Sequence, residues 1–392
     1  MERKPIVQSM LDTDLYKLTQ MQAIASRFPY AQAEYTFTNR GKTPFPRNFH
    51  HKLQDAVCAM KDLSLTAKEK KFLEGMGWFK PTFLDLLSGY RFDPDEVSID
   101  MRDGGDLQVS IEGPWYRTVL WEVPLMAIIS ELFFQDEPKD PSWKDRIVQK
   151  GMDLKDIRYA EFGTRRRFSF EVQDEVVSTL KGVTNRTGTI FGLVGTSNVH
   201  LAMKHGLKAI GTQAHEWIMA FAAIYGFRMA NFRALEGWAE EYEGSLGIAL
   251  TDTYGTDDFF RAFDLRFSKL FDGVRHDSGE PVEFAKKAIA HYQRMGIDPR
   301  AKTIVFSDNL NVKEVWRIAD FCEGRVGYSF GIGTHMSNDV GVKPLNMVIK
   351  LTGLAINQNS PMIPCVKLSD VPGKHNGSPE MIDLCLRTLS SK

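Results

Sequence analysis

The sequence has little of what would assign it to a special class. It holds four cysteines in 392 residues, Cys58, Cys322, Cys365 and Cys385, far apart and without a C-x-x-C pair. That spacing argues against structural zinc and a small disulfide framework, and it fits a reducing, cytoplasmic compartment. Net charge is nearly absent: 49 Lys and Arg against 50 Asp and Glu give −1. No bulk field therefore points to nucleic acid or to a membrane, and partners are expected to be small molecules recognised at local sites. Long apolar runs are missing too. The greasiest stretch, "VPLMAIISELFF", spans 12 residues and contains Ser130 and Glu131. It is too short to cross a bilayer and reads as a buried helix. The N-terminal "MERKPIVQSMLDTDLYK" has no apolar core, so a secretory signal is not expected. What remains, 43% hydrophobic and 25% charged, is an ordinary globular composition long enough for two domains.

Residues 1–140 read as a mixed α/β domain. "AEYTFTNR" alternates like a strand, and "EVSIDMR" and "LQVSIEG" flank Asp103-Gly104-Gly105-Asp106, a hairpin turn sequence. "SLTAKEKKFLEGM" opens on a Ser/Thr cap and continues as an amphipathic helix. The polar "QDEPKDPSWKD" reads as a linker. From about residue 155 a unit recurs: a short apolar run, a Gly/Thr/Ser/Asp cluster, then an amphipathic helix. Seven such junctions are "EFGTRRR", "LVGTSN", "AIGTQAHE", "ALTDTYGTDD", "GVRHDSGE", "VFSDNLN" and "SFGIGTH". Strand, crossover helix and next strand at this spacing imply parallel strands. Polar clusters after nearly every strand favour a barrel over an open sheet, because barrels build their sites from all the loops at the strands' C-terminal ends. Seven units rather than eight make it an irregular α/β barrel, assigned to residues 141–340. Residues 341–392 are expected to return to the N-terminal domain.

The chemistry gathers at these junctions. Gly331, Gly333 and Thr334 in "SFGIGTH", and Ser307, Asp308 and Asn309 in "FSDNLN", offer backbone N–H groups and small side chains to an anion. Glycines at strand ends are also ordinary turn formers, so neither loop is specific alone. Asp252 and Asp277 follow consecutive strands and could hold Mg²⁺ or orient sugar hydroxyls. Helix capping is the plainer reading of such residues, and it suits Asp257 and Asp258 better than Asp277. Among Arg165, Arg166 and Arg167, Arg165 is the one expected in a binding mouth, the others in salt bridges. His215, His276 and His335 all fall at strand ends. With no H-x-H there and no His pair at i and i+4 on a helix, a tight histidine–metal centre is not expected. A lone His is usually structural, but His215, followed by Glu216 in an anion-rich mouth, could be a nucleophile. No lysine stands at a strand end, which disfavours a Schiff-base aldolase.

In order along nearly the whole chain, "TDLYK", "EFGTRRRFS", "GTSN", "GTQAHEW", "DTYGTDDF", "RHDSGEP", "FSDNLN" and "SFGIGTH" resemble the bacterial nicotinate phosphoribosyltransferases. The resemblance implies a type II phosphoribosyltransferase fold, an irregular barrel of about seven strands with an α/β domain from the N-terminal part. It implies that nicotinate displaces pyrophosphate from phosphoribosyl pyrophosphate (PRPP), with ATP hydrolysis coupled through a phosphorylated histidine. Carried over, that histidine is His215, with Glu216 the nearest group to orient its ring and Asp252 and Asp277 beside an oxocarbenium-like ribose. The pyridine ring would lie between Phe162 and Tyr16, the latter offered by a second subunit, so a homodimer is expected. Arg275, Arg165, Thr196 and Ser197 would serve the nicotinate carboxylate. Ser307, Asp308, Asn309, Gly331, Gly333 and Thr334 would take the 5′-phosphate, and Arg40, Lys367 and Lys374 the pyrophosphate with its Mg²⁺. The related nicotinamide enzyme, the alternative reading, has an Asp where this chain has Ser197. An Asp would accept from an amide and repel a carboxylate, so Ser197 favours the acid. A quinolinate enzyme would want a denser cationic cluster, and an inactive sensor barrel would not need nucleophile, acids and anion loops together.

Overall fold

The structure, a computed structural model, describes residues 5–390. Residues 1–4, the start of the stretch read above as lacking a secretory signal, lie outside the described residues. The chain divides into two compact units, one of Met1–Ile210 with Ile332–Lys350 and one of Gly211–Gly331 with Leu351–Lys392. This division differs from boundaries at 140 and 340. The segment read as a linker is tied down within the first unit: the Asp140 N–H donates to the Val340 carbonyl at 2.7 Å, and Arg146 pairs with both Asp140 and Asp339.

An antiparallel sheet contains β1 (Gln32–Asn39), β2 (Val97–Arg102), β3 (Asp106–Pro114), β11 (Met347–Ala355) and β12 (Ile363–Pro364), ordered β12-β11-β1-β3-β2. The alternation read in "AEYTFTNR" is real: Ala33, Tyr35 and Phe37 of β1 are buried, and Thr36 and Thr38 between and after them are exposed. The hairpin also forms, with Arg102 opposite Asp106 across the turn. The apolar stretch is helix Glu122–Phe134, buried without a break from Glu122 to Ser130.

Each of the seven junctions follows a strand: β4 (Arg158–Glu161), β5 (Gly192–Thr196), β6 (Lys208–Ala209), β7 (Ile248–Leu250), β8 (Gly273–His276), β9 (Thr303–Phe306) and β10 (Gly327–Ile332). Their order is β6-β5-β4-β10-β9-β8-β7, with parallel pairing. The expected irregular barrel is thus a seven-stranded parallel half-barrel whose edges are β6 and β7. The last strand in the chain, β10, is central.

The helices start where the sequence caps them. Ser169 accepts from the Val172 N–H and opens helix Phe170–Thr187, which Gly188 ends at φ 64°. Asn198 caps Val199–His205, Glu280 caps Pro281–Arg294, and Asn311 caps Val312–Cys322. Each cap supplies an acceptor to an otherwise unpaired N–H of the first turn. Asp257 and Asp258 lie in the first turn of Thr256–Ala262 instead of capping it; the Thr256 N–H goes to Asp370.

Candidate active site

In the second unit, three strand-end loops bring a histidine and two acids together. His215 is the first residue of helix His215–Tyr225, entered from the loop after β6. Asp252 follows β7 and Asp277 follows β8. The His215 Nε2 lies 3.0 Å from Asp277 Oδ2 and 3.7 Å from Asp252 Oδ1, and its Nδ1 lies 3.0 Å from Thr253 Oγ1. Both ring nitrogens are therefore held by Thr253 and Asp277, so the ring is oriented by these residues and not by the adjacent Glu216. Glu216 is buried in the first turn of the same helix.

Charge in this cluster is balanced by two cations. Arg275, at the end of β8, donates to Asp277 Oδ1 at 2.5 Å, to Ser307 Oγ and to Thr212 Oγ1. Lys367 approaches Asp252 Oδ2 at 3.3 Å, and Ser278 donates to that same oxygen at 2.7 Å. Burial, helped by Lys367, lowers His215 to about 4 against the pull of Asp252 and Asp277. The ring is neutral at neutral pH. Burial works against both carboxylates, yet Arg275 holds Asp277 well below the usual range, and Lys367 helps to keep Asp252 ionised. A neutral imidazole facing an ionised Asp277 carries its proton on Nε2, because that carboxylate can only accept. The Nδ1 lone pair is then left toward the Thr253 hydroxyl, which donates to it.

Several residues of the anion loops beside this cluster are bonded within the chain. Ser307 bonds Arg275 and donates to Asp277 Oδ1 at 2.8 Å, so its hydroxyl serves the acid cluster. Asp308 pairs with Lys374 at 2.7 Å, and each neutralises the other. Asn309 sits in the left-handed region at φ 53°. Gly331 lies within β10.

The first unit holds a second, denser polar cluster at the ends of β4 and β5. Glu161, fully buried, accepts from the Gly163 N–H at 2.6 Å, from Thr196 Oγ1 at 2.7 Å, and from Gln173 Nε2 on both oxygens. Arg167, also fully buried, forms a two-pronged pair with Asp12 at 2.7 and 2.9 Å, and Asn198 donates to the same Asp12. Burial raises Glu161 to about 7, against donors that all favour its ionised form. Gly163 has no room for a side chain: a Cβ would stand 1.9 Å from Ser337 Oγ and 2.6 Å from Glu161 Oε1.

Here the expected carboxylate binders are largely committed inward. Thr196 gives its hydroxyl to Glu161, and Ser197 gives its own to Asp14 at 2.7 Å. Arg165 lies 3.8 Å from Asp14 and 3.5 Å from Glu122, with its side chain 36% exposed. Of the three arginines it is Arg167 that is buried in an ion pair, while Arg165 keeps an outward face. Tyr16 stands beside Glu122, with its hydroxyl 3.4 Å away, and Lys17 pairs with Glu122 at 2.5 Å. Burial pushes Glu122 up, but Lys17, Arg165 and Lys350 together hold it at about 2. Phe162 is half-buried, and its N–H bonds the Ile332 carbonyl. Gly333 passes close to the Phe162 carbonyl, Thr334 begins a short helical turn, and Arg40 is exposed after β1.

Comparison with known proteins is decisive on the family. The nicotinate phosphoribosyltransferase (NAPRTase) family profile matches residues 157–388, and the profile of that family's N-terminal domain matches residues 11–130. The nicotinate phosphoribosyltransferase of Chromohalobacter salexigens is 53% identical, over 98% of this chain and 99% of its own. That of Desulforapulum autotrophicum is 46% identical over the same shares. The chain belongs to the nicotinate phosphoribosyltransferase family. Among solved structures, the enzyme from Porphyromonas gingivalis superposes with a TM-score of 0.94 at 44% identity, covering 98% of this chain and all of that one. The one from Vibrio cholerae gives 0.91 at 33% identity, covering 99% and 95%.

Membership makes the protein a phosphoribosyltransferase, and it draws attention to residues that reading along the chain passed over. Thr253, next to Asp252, was visible in "TDTYGTDD" but had no reason to be singled out until the fold set it against His215. Glu161 and Asn198 belong to quoted motifs and Asp12 stands just before one, yet most of their side-chain partners are distant in sequence. Arg167 and Asp12 are separated by 155 positions. No helix of the described residues is long and apolar enough to cross a membrane.

Proposed function

We propose that this chain transfers the phosphoribosyl group of PRPP to nicotinate, releasing pyrophosphate, and couples that transfer to ATP hydrolysis through phosphorylation of His215. The observation that carries the coupling is the held His215 ring, with Nε2 3.0 Å from Asp277 Oδ2 and Nδ1 3.0 Å from Thr253 Oγ1, in a setting whose burial favours the neutral form. A neutral imidazole nitrogen attacks the γ-phosphorus of ATP as the bond from phosphorus to the ADP oxygen breaks, and ADP departs. The ring becomes cationic as it bonds, and ionised Asp277 stabilises that charge through Nε2–H, as a carboxylate does in a catalytic triad. Attack from Nδ1 requires Thr253 to turn its hydroxyl away first.

Displacement of pyrophosphate passes through a positively charged ribose, for which Asp252 and Asp277 are suitable counter-charges. Asp252 Oδ1 is buried without a hydrogen-bond partner, a hard oxygen of the kind Mg²⁺ accepts. Mg²⁺ arriving with PRPP would neutralise the pyrophosphate, and Asp252 and Asp277 would be the residues to hold it. Lys367 supplies a cation for the leaving group, and Lys374 would do so only by leaving Asp308. For the base, Phe162 and Tyr16 offer aromatic faces and Arg165 its outward face to a carboxylate; Tyr16 already stands against Glu122 beside Arg165 within one chain, so this reading does not need the second subunit expected from the sequence. Support for nicotinate over nicotinamide comes from the names of the relatives and from Ser197, which brings no charge of its own.

Labelling with γ-phosphate-labelled ATP and Mg²⁺ tests the coupling. An acid-labile, base-stable label in the wild type, lost in His215→Ala, is the expected result. No label in either protein, or a variant that keeps full ATP stimulation, would remove the phosphohistidine and leave an uncoupled transferase.

A further inference from the structure

His215 Nε2, Asp252 Oδ1 and Asp277 Oδ2 converge in the second unit's cluster, a histidine-and-two-carboxylate set matching the three protein ligands of an open zinc site. They lie within 4.8 Å of one another. The two distances from Nε2 are 3.0 and 3.7 Å. Ligands about 2.0–2.1 Å from a tetrahedral ion stand about 3.3 Å apart along each edge. The two separations from Nε2 bracket that value, and the third edge is no longer than 4.8 Å, so modest shifts bring all three groups onto one ion.

Each ligand is held from behind through its other polar atom. Asp252 Oδ2 receives Ser278 and lies near Lys367. Asp277 Oδ1 receives Arg275 and Ser307. His215 Nδ1 meets Thr253 Oγ1. Metal centres are supported in this way, a ligating histidine giving its other N–H to a neighbouring oxygen. The Asp252 Oδ1 atom, on a residue only 1% exposed, has no hydrogen-bond partner. A buried carboxylate oxygen without a donor is costly, and it faces this ligand set.

We propose that His215, Asp252 and Asp277 form a three-ligand site for a borderline divalent transition ion such as Zn²⁺ or Co²⁺, distinct in chemistry from the Mg²⁺ that accompanies PRPP. An imidazole ligand suits Zn²⁺ and Co²⁺, whereas Mg²⁺ prefers oxygen and keeps its waters. Arg275 and Lys367 hold the site's affinity below that of a resident catalytic zinc, so the ion exchanges. Binding needs the Nε2 lone pair. The ring's single proton then resides on Nδ1, donating to Thr253, and Nδ1 has no lone pair left for phosphorus. On the reading of His215 as the phosphorylated residue, the transition ion and phosphorylation exclude each other.

The test is a titration of the substrate-free protein with Co²⁺, followed by the strong visible absorption of four-coordinate cobalt. One equivalent should bind, survive excess Mg²⁺, and weaken at least tenfold in His215→Gln and in the near-isosteric Asp252→Asn, with Thr253→Val weakened less. The neighbouring pair His50 and His51, with ring centroids 3.9 Å apart and planes tilted by 38°, is the rival ligand. A spectrum lost in His50→Gln/His51→Gln but kept in His215→Gln would overturn the proposal, as would a wild type with no four-coordinate spectrum. Because the titration contains no substrate, a negative result leaves the transferase reading standing, and a positive one survives its loss.

Discussion

The polar clusters of the two units both set buried carboxylates among donors and have opposite characters. In the first unit, Glu161, Thr196, Gln173, Asn198, Asp12 and Arg167 form a buried lattice in which carboxylate oxygens meet donors from two or three directions. In the second, His215, Asp252 and Asp277 are supported just as fully from behind, but their inner atoms converge on one another, and one of them has no hydrogen-bond partner. A filled network fixes loops in place. A network with convergent, unfilled acceptors is arranged for something that arrives. Burial and charge content do not separate the two, whereas the direction of the remaining lone pairs does.

The largest way to break this contrast is to empty the filled network. Asp12→Ala leaves Arg167 charged, buried and without its two-pronged partner, and should cost about 3–5 kcal/mol of stability. Urea unfolding checks this; a loss no larger than that of His215→Ala would mean the first cluster is not the scaffold.

Next in size is Ser197→Asp, which sets a second carboxylate beside Asp14. Like charge at a carboxylate-binding site should raise the KM for nicotinate about tenfold or more, equivalent to about 1.4 kcal/mol, with less effect on ATP. Unchanged nicotinate kinetics would end the argument for acid selectivity at this position.

The smallest effect is a pair of opposite pH slopes. Glu161, raised to about 7, is more protonated folded than unfolded. Its contribution is complete below the unfolded value near 4.5 and is lost as pH rises through 7. His215, lowered to about 4, is less protonated folded than unfolded. Its contribution is complete above about 6.5 and is lost as pH falls through 4. Thermal melts between pH 4.5 and 7 should show Glu161→Gln and His215→Gln differing from wild type with slopes of opposite sign. Slopes of the same sign would show that burial does not govern both groups.

Much of this was legible in the sequence. The seven strand-end junctions all follow strands, because a half-barrel repeats one local solution: an apolar strand, a small-residue turn, a capped helix. Asp252, Asp277 and His215 could be nominated because they stand at such turns. Their partners could not. Thr253 looks like any strand-end threonine, and Arg275 and Ser307, nominated for substrate, prove to be tied to Asp277. Three arginines in a row carry no mark of which is buried, since Arg167 is chosen by Asp12, far away in sequence. Nor does local pattern encode strand order; chain order alone would not place β10 between β4 and β9.

That order has a consequence for synthesis. The ribosome delivers β4, β5 and β6 first, then β7, β8 and β9, and only then, at residues 327–332, the strand that stands between the two sets. Until it emerges, β4 and β9 each wait with an unpaired edge, and pairing β4 with β10 spans more than 160 residues of chain. Such long-range closure is slow and leaves sticky edges open meanwhile. A chain stalled before residue 327 would carry the histidine and both acids of the second cluster and still lack the strand that completes the half-barrel, which makes it a natural client for chaperones.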